Sequence, residues 1–582
     1  MTLPSDTTLA LISWLASRDT PALHTLVTRR GIAPGECVSF RTLAQALLHP
    51  DNIHASLQRL TRQELSALHE PEAGDDSTLA SLEEWGFLSR TPEGCAVLIP
   101  RSHLPAPEDF EKTASPPSVT PASPPSDTQI SAAATRALSC VVSLVDLVDA
   151  IALSRFPVSP DGQLSTSALK NLQAELGVGY DVPTLYRLAR QSGLLGSDTS
   201  VAALTAKAVA WRELSDEERY EQVVTAWWSG VPSWLGVVVA EHPALSWNSE
   251  LVTHVAYHYP LVSPEAVLDQ YRGDAETLGL TEGLSPTPWA RELWGSGSVA
   301  TSFGAWRPPY APGVFAHDDY TLLASGPLAP HHREILSSIA ARELGGLVPR
   351  YRITAGSILN ALQDGVSPKS IPTMLMEVCV NEIPAGMLAL ADDVARRALD
   401  LEIHQRGDST FVVTRRADLS DELLSDPGLI VLGLSRSGES ELRCSWPAER
   451  VHSTLLAASY PSLLMDSSGK PLTSQPLVTS DAEIGEGAKL ASVLEKIVAD
   501  AREAAAKGVP AGFSSIIDIA IDTKTPLEIV VRMPDDALVT VVMEPRALSA
   551  GRLRGVELKH AVEKTLPASR ITSVRAWSED EG

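Results

Sequence analysis

The chain has 582 residues, 44% of them apolar, and its 47 Lys and Arg against 72 Asp and Glu leave a formal net charge of −25. Length and composition predict a folded protein of several domains, and the charge excludes DNA binding through the overall field of the protein, so any nucleic-acid contact must be local. The cysteines are too scattered to predict a zinc site or a disulfide framework; they are Cys37, Cys95, Cys140, Cys379 and Cys444.

The first residues and the hydropathy of the chain bear on its compartment. Residues 1–6 lack the basic region and the continuous apolar core of a signal peptide. No segment approaches about 18 uninterrupted apolar residues, the length that a membrane-spanning helix needs. We therefore expect a cytoplasmic protein without a membrane partner.

Residues 1–104 are predicted to form a helical domain of the winged-helix type. The first helix places its apolar residues mainly on one face; they are Leu9, Leu11, Ile12, Trp14 and Leu15. Two short helices, at 39–48 and 53–60, are joined by a tight turn, and residues 89–99 form a hairpin. A helical domain that docks a protein instead of DNA fits the same pattern.

The stretch 105–130 is rich in Pro and Ser. Such a run offers little to bury and prefers extended polyproline geometry, so it is predicted to be a linker. From 131 to 300 the pattern is helical, and residues 169–176 and 182–195, on either side of a Gly-rich turn, predict a second helix-turn-helix unit. Tryptophans in this region are expected in the core and not stacked on bases; they are Trp211, Trp227, Trp228 and Trp234.

The segment 310–475 alternates strands and helices. A strand at 315–323 and a Gly-Pro turn precede a helix that is predicted from about Pro330 to Leu344. Thr354 is a good N-cap for the next helix, because its hydroxyl can accept from the amides of the first turn. A further helix is predicted from Met387 to Arg397.

The run from Tyr351 to Gly365 and the helix Met387–Arg397 carry a family resemblance. They resemble the N-terminal domain of XPB-type DNA helicases, a helicase C-terminal-3-like module. The resemblance is closer to the actinobacterial helicase-associated proteins that carry this module without a motor. It implies an α/β module that contacts DNA and is linked to damage recognition.

Beyond this module, strands are predicted at 410–414, 429–434 and 462–465, with a helix at 448–459. A connecting helix follows at 484–508, with its apolar residues on one face.

Residues 511–577 are predicted to be β-rich. Leu527–Met533 and Leu538–Met543 flank a Pro-Asp-Asp turn, which is a good hairpin signal. With the closing residues 569–574, this segment resembles the WYL domain, a small Sm-like β fold of bacterial regulators. Gly555–Leu558 stands where that family has its aromatic triplet, a departure that puts ligand or nucleic-acid sensing at that face in doubt.

The motifs of common enzymes are missing from the sequence. A helicase motor needs a Gly-rich loop that ends in Gly-Lys-Ser/Thr and holds the phosphates, whereas the Gly-Lys pair at 469–470 is followed by proline and is typical of a turn. His331 and His332 are adjacent, so they cannot present two imidazoles one helical turn apart. Residues 433–437 lack the second glycine of a nucleophile elbow. The sequence therefore predicts a protein that is not an enzyme and that binds no cofactor and no metal.

Basic residues form two candidate nucleic-acid-binding groups. One lies in the XPB-like module, and the other lies between 545 and 577, where seven basic residues stand against two acidic ones. Each contact with a phosphate would steepen the salt dependence of binding by about one unit. Ordinary solvated or salt-bridged side chains are the alternative. The candidates are Arg350, Arg352, Arg396, Arg397, Arg546, Arg552, Arg554, Lys559 and Arg570.

Together these patterns predict an α+β multidomain protein with mainly helical winged-helix-like modules, a central XPB-N-terminal-like α/β module and a β-rich Sm-like C-terminal domain. By resemblance, we expect a non-catalytic protein that binds forked or single-stranded DNA, or partners an XPB-type helicase, in DNA repair or transcription. One alternative is a WYL-type transcriptional regulator with winged-helix DNA binding, against which the eight Arg, no Lys and twelve acidic residues of 1–105 argue. Another is an ATP-dependent DNA helicase.

Overall fold

The computed structural model divides the chain into two compact units. Unit 1 contains the segments Met1–Pro121, Pro232–Asp269 and Asp481–Gly582, and unit 2 contains Ala122–Val231 and Gln270–Ser480. The residues that the structure describes are 6–91, 94–110, 117–118, 121–159, 162–177, 179, 181–198, 200–299, 302–473, 490–499, 513, 517, 520–521, 524–533, 536–549 and 551–577.

The helices are α1 (Asp6–Ala16), α2 (Thr20–Arg30), α3 (Phe40–Leu47), α4 (Pro50–Leu57), α5 (Arg62–His69), α6 (Asp76–Glu84), α7 (Pro107–Phe110), α8 (Asp127–Leu153), α9 (Thr166–Leu176), α10 (Val182–Gln191), α11 (Ala206–Arg212), α12 (Asp216–Ser229), α13 (Ser233–Glu241), α14 (Ser249–His258), α15 (Glu265–Thr277), α16 (Pro288–Ser296), α17 (Ser302–Trp306), α18 (Pro330–Ile339), α19 (Ala355–Gln363), α20 (Ile371–Val378), α21 (Ala385–Leu399), α22 (Ala417–Ser425) and α23 (Ala448–Ala457). The strands are β1 (Leu88–Thr91), β2 (Gly94–Val97), β3 (Leu195–Asp198), β4 (Val201–Leu204), β5 (Thr281–Glu282), β6 (Ser285–Pro286), β7 (Val314–Ala316), β8 (Thr321–Ala324), β9 (Ala341–Leu344), β10 (Arg350–Arg352), β11 (Leu401–Arg406), β12 (Ser409–Thr414), β13 (Ser435–Gly438), β14 (Glu441–Cys444), β15 (Leu463–Met465), β16 (Leu527–Arg532), β17 (Leu538–Ser549), β18 (Arg552–Glu557), β19 (Val562–Pro567) and β20 (Ile571–Ala576).

This mixture of helices and several small sheets confirms an α+β protein. No single helix among the described residues is long and apolar enough to cross a membrane, and one bent pair, Asp216–Ser229 with Ser233–Glu241, passes the same test by length and composition.

The N-terminal segment of unit 1 is helical and ends in the predicted hairpin, in which Leu88 of β1 pairs with Val97 of β2. Sequence analysis does not predict α2, which begins behind an Asp19 cap that accepts from the Ala22 amide at 3.0 Å. Residues 490–499 of the predicted connecting helix are helical and pack against the core of this segment, and the rest of that prediction lies outside the described residues.

Helices α7 and α8 lie at the two ends of the segment 105–130 that is predicted to be a linker. Phe110 of α7 is 1% exposed and packs into a core with helices α4 to α6. At the other end, the Ser126 hydroxyl accepts from the Gln129 amide and starts α8. Residues 111–116 and 119–120 lie outside the described part of the chain.

The C-terminal segment of unit 1 is an antiparallel sheet with the order β19-β18-β17-β16-β20. The predicted hairpin is confirmed: β16 pairs with β17 from Leu527↔Met543 to Arg532↔Leu538. Its turn residues 534 and 535 are outside the described residues. Alternate residues of β16, Leu527, Ile529 and Val531, are buried, so one face of the sheet forms a core and the other meets solvent.

Unit 2 begins with helices and a hairpin of β3 and β4, in which Leu195 pairs with Leu204. Sequence analysis predicts α9 and α10 but not this hairpin. Trp211 and Trp227 are each 1% exposed, which confirms that they lie in the core, as does Trp234 of unit 1 at 7%.

The next part of unit 2 has a four-stranded sheet with the order β7-β8-β10-β9 and four helices, α18 to α21, that share its core. The Thr354 cap of α19 is confirmed, because its hydroxyl accepts from the Ser357 amide at 3.0 Å. The predicted helix Pro330–Leu344 is wrong at its end. It stops at Ile339, and Ala341–Leu344 forms the strand β9, which pairs with β10.

A second sheet in unit 2 has the order β13-β14-β12-β11-β15, with β15 parallel to β11. The predicted strand 429–434 is wrong, because Pro427–Leu432 is a 3₁₀ helix. The Asp426 carboxylate accepts from the Gly428 amide at 2.7 Å and begins this helix. The Gly-Lys pair at 469–470 is a turn, as predicted, and the Asp466 carboxylate accepts from the Lys470 amide at 3.0 Å.

Candidate nucleic-acid interface

Strand β10 places two candidate arginines on one face of its sheet. Tyr351 is 3% exposed and packs in the core, so Arg350 and Arg352, one residue to either side, face the other way. Both reach Glu343 on β9: the Arg350 Nε lies 3.0 Å from its carboxylate, and Arg352 forms a second ion pair with it. Arg352 also donates to the Asp319 carbonyl at 2.7 Å. Both guanidinium groups therefore already have acceptors within the protein.

The electrostatics of this group agree with its contacts. The hydrogen bond from Arg352 is the main reason why the pKa of Glu343 lies below its usual value. Burial raises the pKa of Tyr351 to about 12, so its phenol stays neutral under ordinary conditions. Because Arg350 and Arg352 are paired with Glu343, little net positive potential is left to attract a phosphate.

Arg396 and Arg397 end helix α21 and share one carboxylate. Arg396 pairs with Asp393, and the Arg397 guanidinium lies 4.0 Å from the same side chain. Arg397 also donates to the Ser459 carbonyl at 2.8 Å. Cations at a helix C-terminus interact favourably with the helix dipole, so these contacts explain both residues without a ligand.

The candidates in the C-terminal sheet are arranged differently. On β18, Arg552 and Arg554 flank Leu553, which is fully buried, so both guanidinium groups leave the sheet on its solvent face. Arg546 is exposed on β17 at a register shift between Pro545 and Ala547. A shift of this kind bends the strand and redirects the side chain at the irregular position.

Two more exposed cations belong to the same sheet. Lys559 lies in the turn between β18 and β19, and Arg570 ends the 3₁₀ helix Ala568–Arg570 ahead of β20. Within the described part of the chain, none of these five residues forms an ion pair with a carboxylate; they are Arg546, Arg552, Arg554, Lys559 and Arg570. We call this set the C-terminal basic face.

Lys564 is excluded from this face by its own contact. Its ammonium lies 2.6 Å from Glu557, which His560 also contacts at 2.9 Å. The Lys564 hydrogen bond, followed by that of His560, lowers the pKa of Glu557. Glu557 is therefore already engaged by Lys564 and His560 and is not an ion-pair partner of the C-terminal basic face. The side chain of Arg575 lies outside the described residues.

A cleft of about 430 Å³ opens at one end of the sheet. Its lining includes Arg532, a residue that sequence analysis missed, which lies 3.8 Å from the exposed carboxylate of Asp536. Arg532 ends β16 and precedes the hairpin turn, so a basic residue at that point is the sequence signal that could have found it. The cleft is lined by Arg532, Met533, Asp536, Ser569, Arg570 and Thr572.

In the second helix-turn-helix predicted from the sequence, Arg187 is engaged inside unit 2. Arg187 of α10 makes two hydrogen bonds to Asp274, one of them 2.7 Å long. Asp274 is 2% exposed and also accepts from the Trp227 indole at 3.2 Å. This network anchors α10 in unit 2. Because both terminal nitrogens of Arg187 already donate to Asp274, its guanidinium group is not available to a base or a phosphate.

Buried charges also join the strand-and-helix part of unit 2 to its helical part. Asp216 is fully buried and accepts from Arg333 of α18, from Arg219 at 3.1 Å and from the Tyr310 hydroxyl at 3.1 Å. Both arginines are at most 9% exposed. A buried carboxylate with this many donors is a structural group, because its negative charge compensates two cations that are largely removed from water.

Comparison with known proteins places the central segment. Residues 314–438 match the helicase conserved C-terminal domain. Over this segment the chain is similar to that helicase-related family. The match runs from β7 to the end of β13 and includes Arg350, Arg352, Arg396 and Arg397. No curated protein matches the chain. The helicase-related part of the predicted resemblance is confirmed, and the WYL-like and actinobacterial parts stay predictions.

Proposed function

We propose that the chain is a non-catalytic, helicase-associated protein that binds DNA or a helicase partner in DNA repair or transcription. The observation that carries the proposal is the match of residues 314–438 to the helicase conserved C-terminal domain. Within the proposal, this segment is the XPB-N-terminal-like module, and it docks an XPB-type helicase. The first domain is winged-helix-like, and the C-terminal sheet is the WYL-like, Sm-like domain.

The C-terminal basic face supports a local DNA contact. Its five cations are exposed and form no ion pair within the described residues, whereas the four candidate arginines of the helicase-like segment are paired with Glu343 or Asp393. A paired arginine must give up its partner before it can bind a phosphate, and an unpaired one releases a counterion and gains a contact. With a net charge of −25, the rest of the protein repels DNA. Within the proposal, the C-terminal basic face makes the local DNA contact.

The sequence supports the non-catalytic part of the proposal. It has no Gly-Lys-Ser/Thr loop that could hold the phosphates of ATP. The partner helicase supplies ATP hydrolysis, and this chain supplies the docking surface and the DNA contact.

Two assays with the purified protein test the proposal. Forked, single-stranded and duplex DNA are each titrated with the chain at low salt, and a purified XPB-type helicase is tested for co-purification with it. We expect binding to forked or single-stranded DNA, recovery of the helicase, and no DNA-stimulated ATPase from the chain alone. Neither DNA binding nor helicase recovery, or an intrinsic DNA-stimulated ATPase, would overturn it.

A transcriptional regulator with winged-helix DNA binding is the second candidate, favoured by the order α9, α10 and hairpin β3–β4. Helix α10 would then enter the major groove of an operator. The hydrogen bonds between Arg187 and Asp274 weigh against it. Selective binding of one duplex sequence over a scrambled one would favour this candidate over the first.

A further inference from the structure

Three histidines of unit 1 meet at the corner between α13 and α14. His242 follows the last residue of α13, and His254 and His258 lie one turn apart on α14. The side-chain ligand atoms of these three residues all lie within 4.8 Å of one another. The ring centroids of His242 and His254 are 5.1 Å apart, and those of His254 and His258 are 6.5 Å apart. The spacing of four on α14 places two imidazoles on one helix face.

His254 is the centre of this cluster and lacks ordinary partners. Its side chain is 2% exposed, and neither ring nitrogen has a hydrogen-bond partner of normal geometry among the described residues. Leaving a buried polar group unsatisfied costs about 1–3 kcal/mol. An unsatisfied buried group of this kind therefore needs an explanation. Either the packing around it offsets the energetic cost, or a ligand binds to it.

Burial and neighbouring charges favour the neutral form of two of these imidazoles, His254 and His258. Burial is the main reason why the pKa of His254 is lowered, followed by the proximity of His242 and His258, and the Ser118 backbone and the charge of Glu250 oppose the shift. Burial also lowers the pKa of His258. The charge of Glu241 opposes this shift, and that of Arg62 adds to it. Neutral imidazole is the form that ligates a metal.

We propose that His242, His254 and His258 bind one divalent transition-metal ion, with Zn²⁺ as the preferred ion. Imidazole nitrogens suit zinc among the common metals, and three histidines with one open position form a tetrahedral zinc site. Two nitrogens on one tetrahedral zinc are roughly 3.3 Å apart, given Zn–N bonds of about 2.0 Å. Since the ligand atoms already lie within 4.8 Å, side-chain rotation alone closes the site.

The surroundings suit a dication. The acidic side chain of Glu241 is next to His242 in sequence and close enough to His258 to act on it electrostatically. His242 and His258 are partly exposed, so an ion and a fourth ligand, water, have access from solvent. Among the residues that the structure describes, the group of ligand atoms includes no cysteine or carboxylate, so the site differs from the thiolate sites that hold zinc permanently in small domains.

The site would fix the corner that carries α14 in unit 1. The segment from His242 to Asn248 joins the two helices, and the metal ties its beginning to the middle and end of α14. Next to the site, the Arg62 Nε donates to the Tyr257 carbonyl at 2.9 Å, and its guanidinium lies 4.7 Å from the Tyr257 ring centroid. Metal binding therefore stabilises the surface where α14 meets the N-terminal helices.

The test uses the full chain, purified with any histidine tag removed and dialysed free of metal. Zn²⁺ is titrated in competition with a chromophoric chelator, and Co²⁺ is added separately to record the visible absorption of a tetrahedral site. We expect one equivalent of Zn²⁺ and a tetrahedral Co²⁺ spectrum for the natural protein. The variants His242→Asn and His258→Asn should lose the site, with at least a 100-fold weaker Zn²⁺ affinity.

The matched control is His331→Asn. His331 is exposed, pairs with Glu377 at 2.8 Å and belongs to unit 2, so this variant should bind Zn²⁺ like the natural protein. His242→Asn and His258→Asn alter partly exposed rings and should fold, as circular dichroism can verify. Absence of Zn²⁺ binding by the natural protein, or equal affinity in His258→Asn, would overturn the proposal. If a variant is unfolded, the stoichiometry and Co²⁺ spectrum of the natural protein decide the question.

Discussion

Arg552 and Arg554 stand on either side of the fully buried Leu553 on β18, and both guanidinium groups are exposed on the same face of the C-terminal sheet. Neither pairs with a carboxylate in the described part of the chain. By contrast, Arg396 and Arg397 share the carboxylate of Asp393. The difference between free and paired arginines separates the two basic groups that look alike in the sequence.

The double variant Arg552→Ala/Arg554→Ala should weaken DNA binding. Each lost phosphate contact removes about one unit from the slope of log affinity against log salt, so the slope should fall by about two. Fluorescence anisotropy with labelled forked DNA measures both the affinity and the slope. Arg396→Ala is the control, because its guanidinium is already paired, and it should bind as the natural protein does. Equal losses in both variants would contradict the distinction.

Asp216→Asn should destabilise unit 2. The change removes the negative charge that compensates Arg219 and Arg333, two buried cations, and breaking a buried ion pair costs about 3–5 kcal/mol. Thermal unfolding followed by circular dichroism should show a lower midpoint. The control Asp418→Asn removes an exposed partner of Arg416 and should leave the midpoint unchanged. An unchanged midpoint for Asp216→Asn would refute a structural role for this group.

The cysteines should differ in reactivity according to their burial. Burial raises the pKa of the Cys37 thiol to about 11 and that of Cys140 to about 12, with a smaller effect from Glu36 and Asp274 respectively. The thiolate is the reactive form, so a raised pKa leaves both thiols protonated and slow at pH 8. Cys95 is exposed. A thiol reagent at pH 8 should react rapidly with one equivalent.

The variant Cys95→Ser identifies that fast equivalent. It should abolish the rapid phase and leave the slow reaction of the other thiols, which denaturant should accelerate. Raising the pH to 9 should not make Cys37 or Cys140 fast, because both pKa values stay above that pH. A rapid phase that persists in Cys95→Ser would show that a buried thiol is accessible.

Local signals predicted several elements correctly. The Thr354 cap has the hydroxyl contact that its position in the sequence implies, and the hairpin of β16 and β17 follows from alternation around a turn. The prediction of a strand at 429–434 is wrong although these residues are apolar. Asp426 and Pro427 begin a 3₁₀ helix instead, and this helix leaves Ile430 74% exposed. Apolar runs alone do not distinguish a strand from a short helix.

Tertiary contacts account for the other errors. Ala341–Leu344 contains good helix formers, yet it pairs with β10 as strand β9, since pairing with a neighbouring strand outweighs a weak propensity. The sequence identified the basic residues of 545–577 but not which of them are free, because that depends on where Glu557 lies. The spacing of His254 and His258 was visible in the sequence, whereas their meeting with His242 depends on how α13 and α14 fold back.

The most direct test of the central claim is a titration of forked, single-stranded and duplex DNA with the purified chain over about 50–200 mM salt. We predict binding at the lowest salt, preferentially to forked or single-stranded DNA, with a salt slope that corresponds to a few phosphate contacts and is reduced by Arg552→Ala/Arg554→Ala. Absence of binding to all three DNAs at the lowest salt, or a slope that the double variant leaves unchanged, would contradict the claim that the C-terminal basic face contacts DNA.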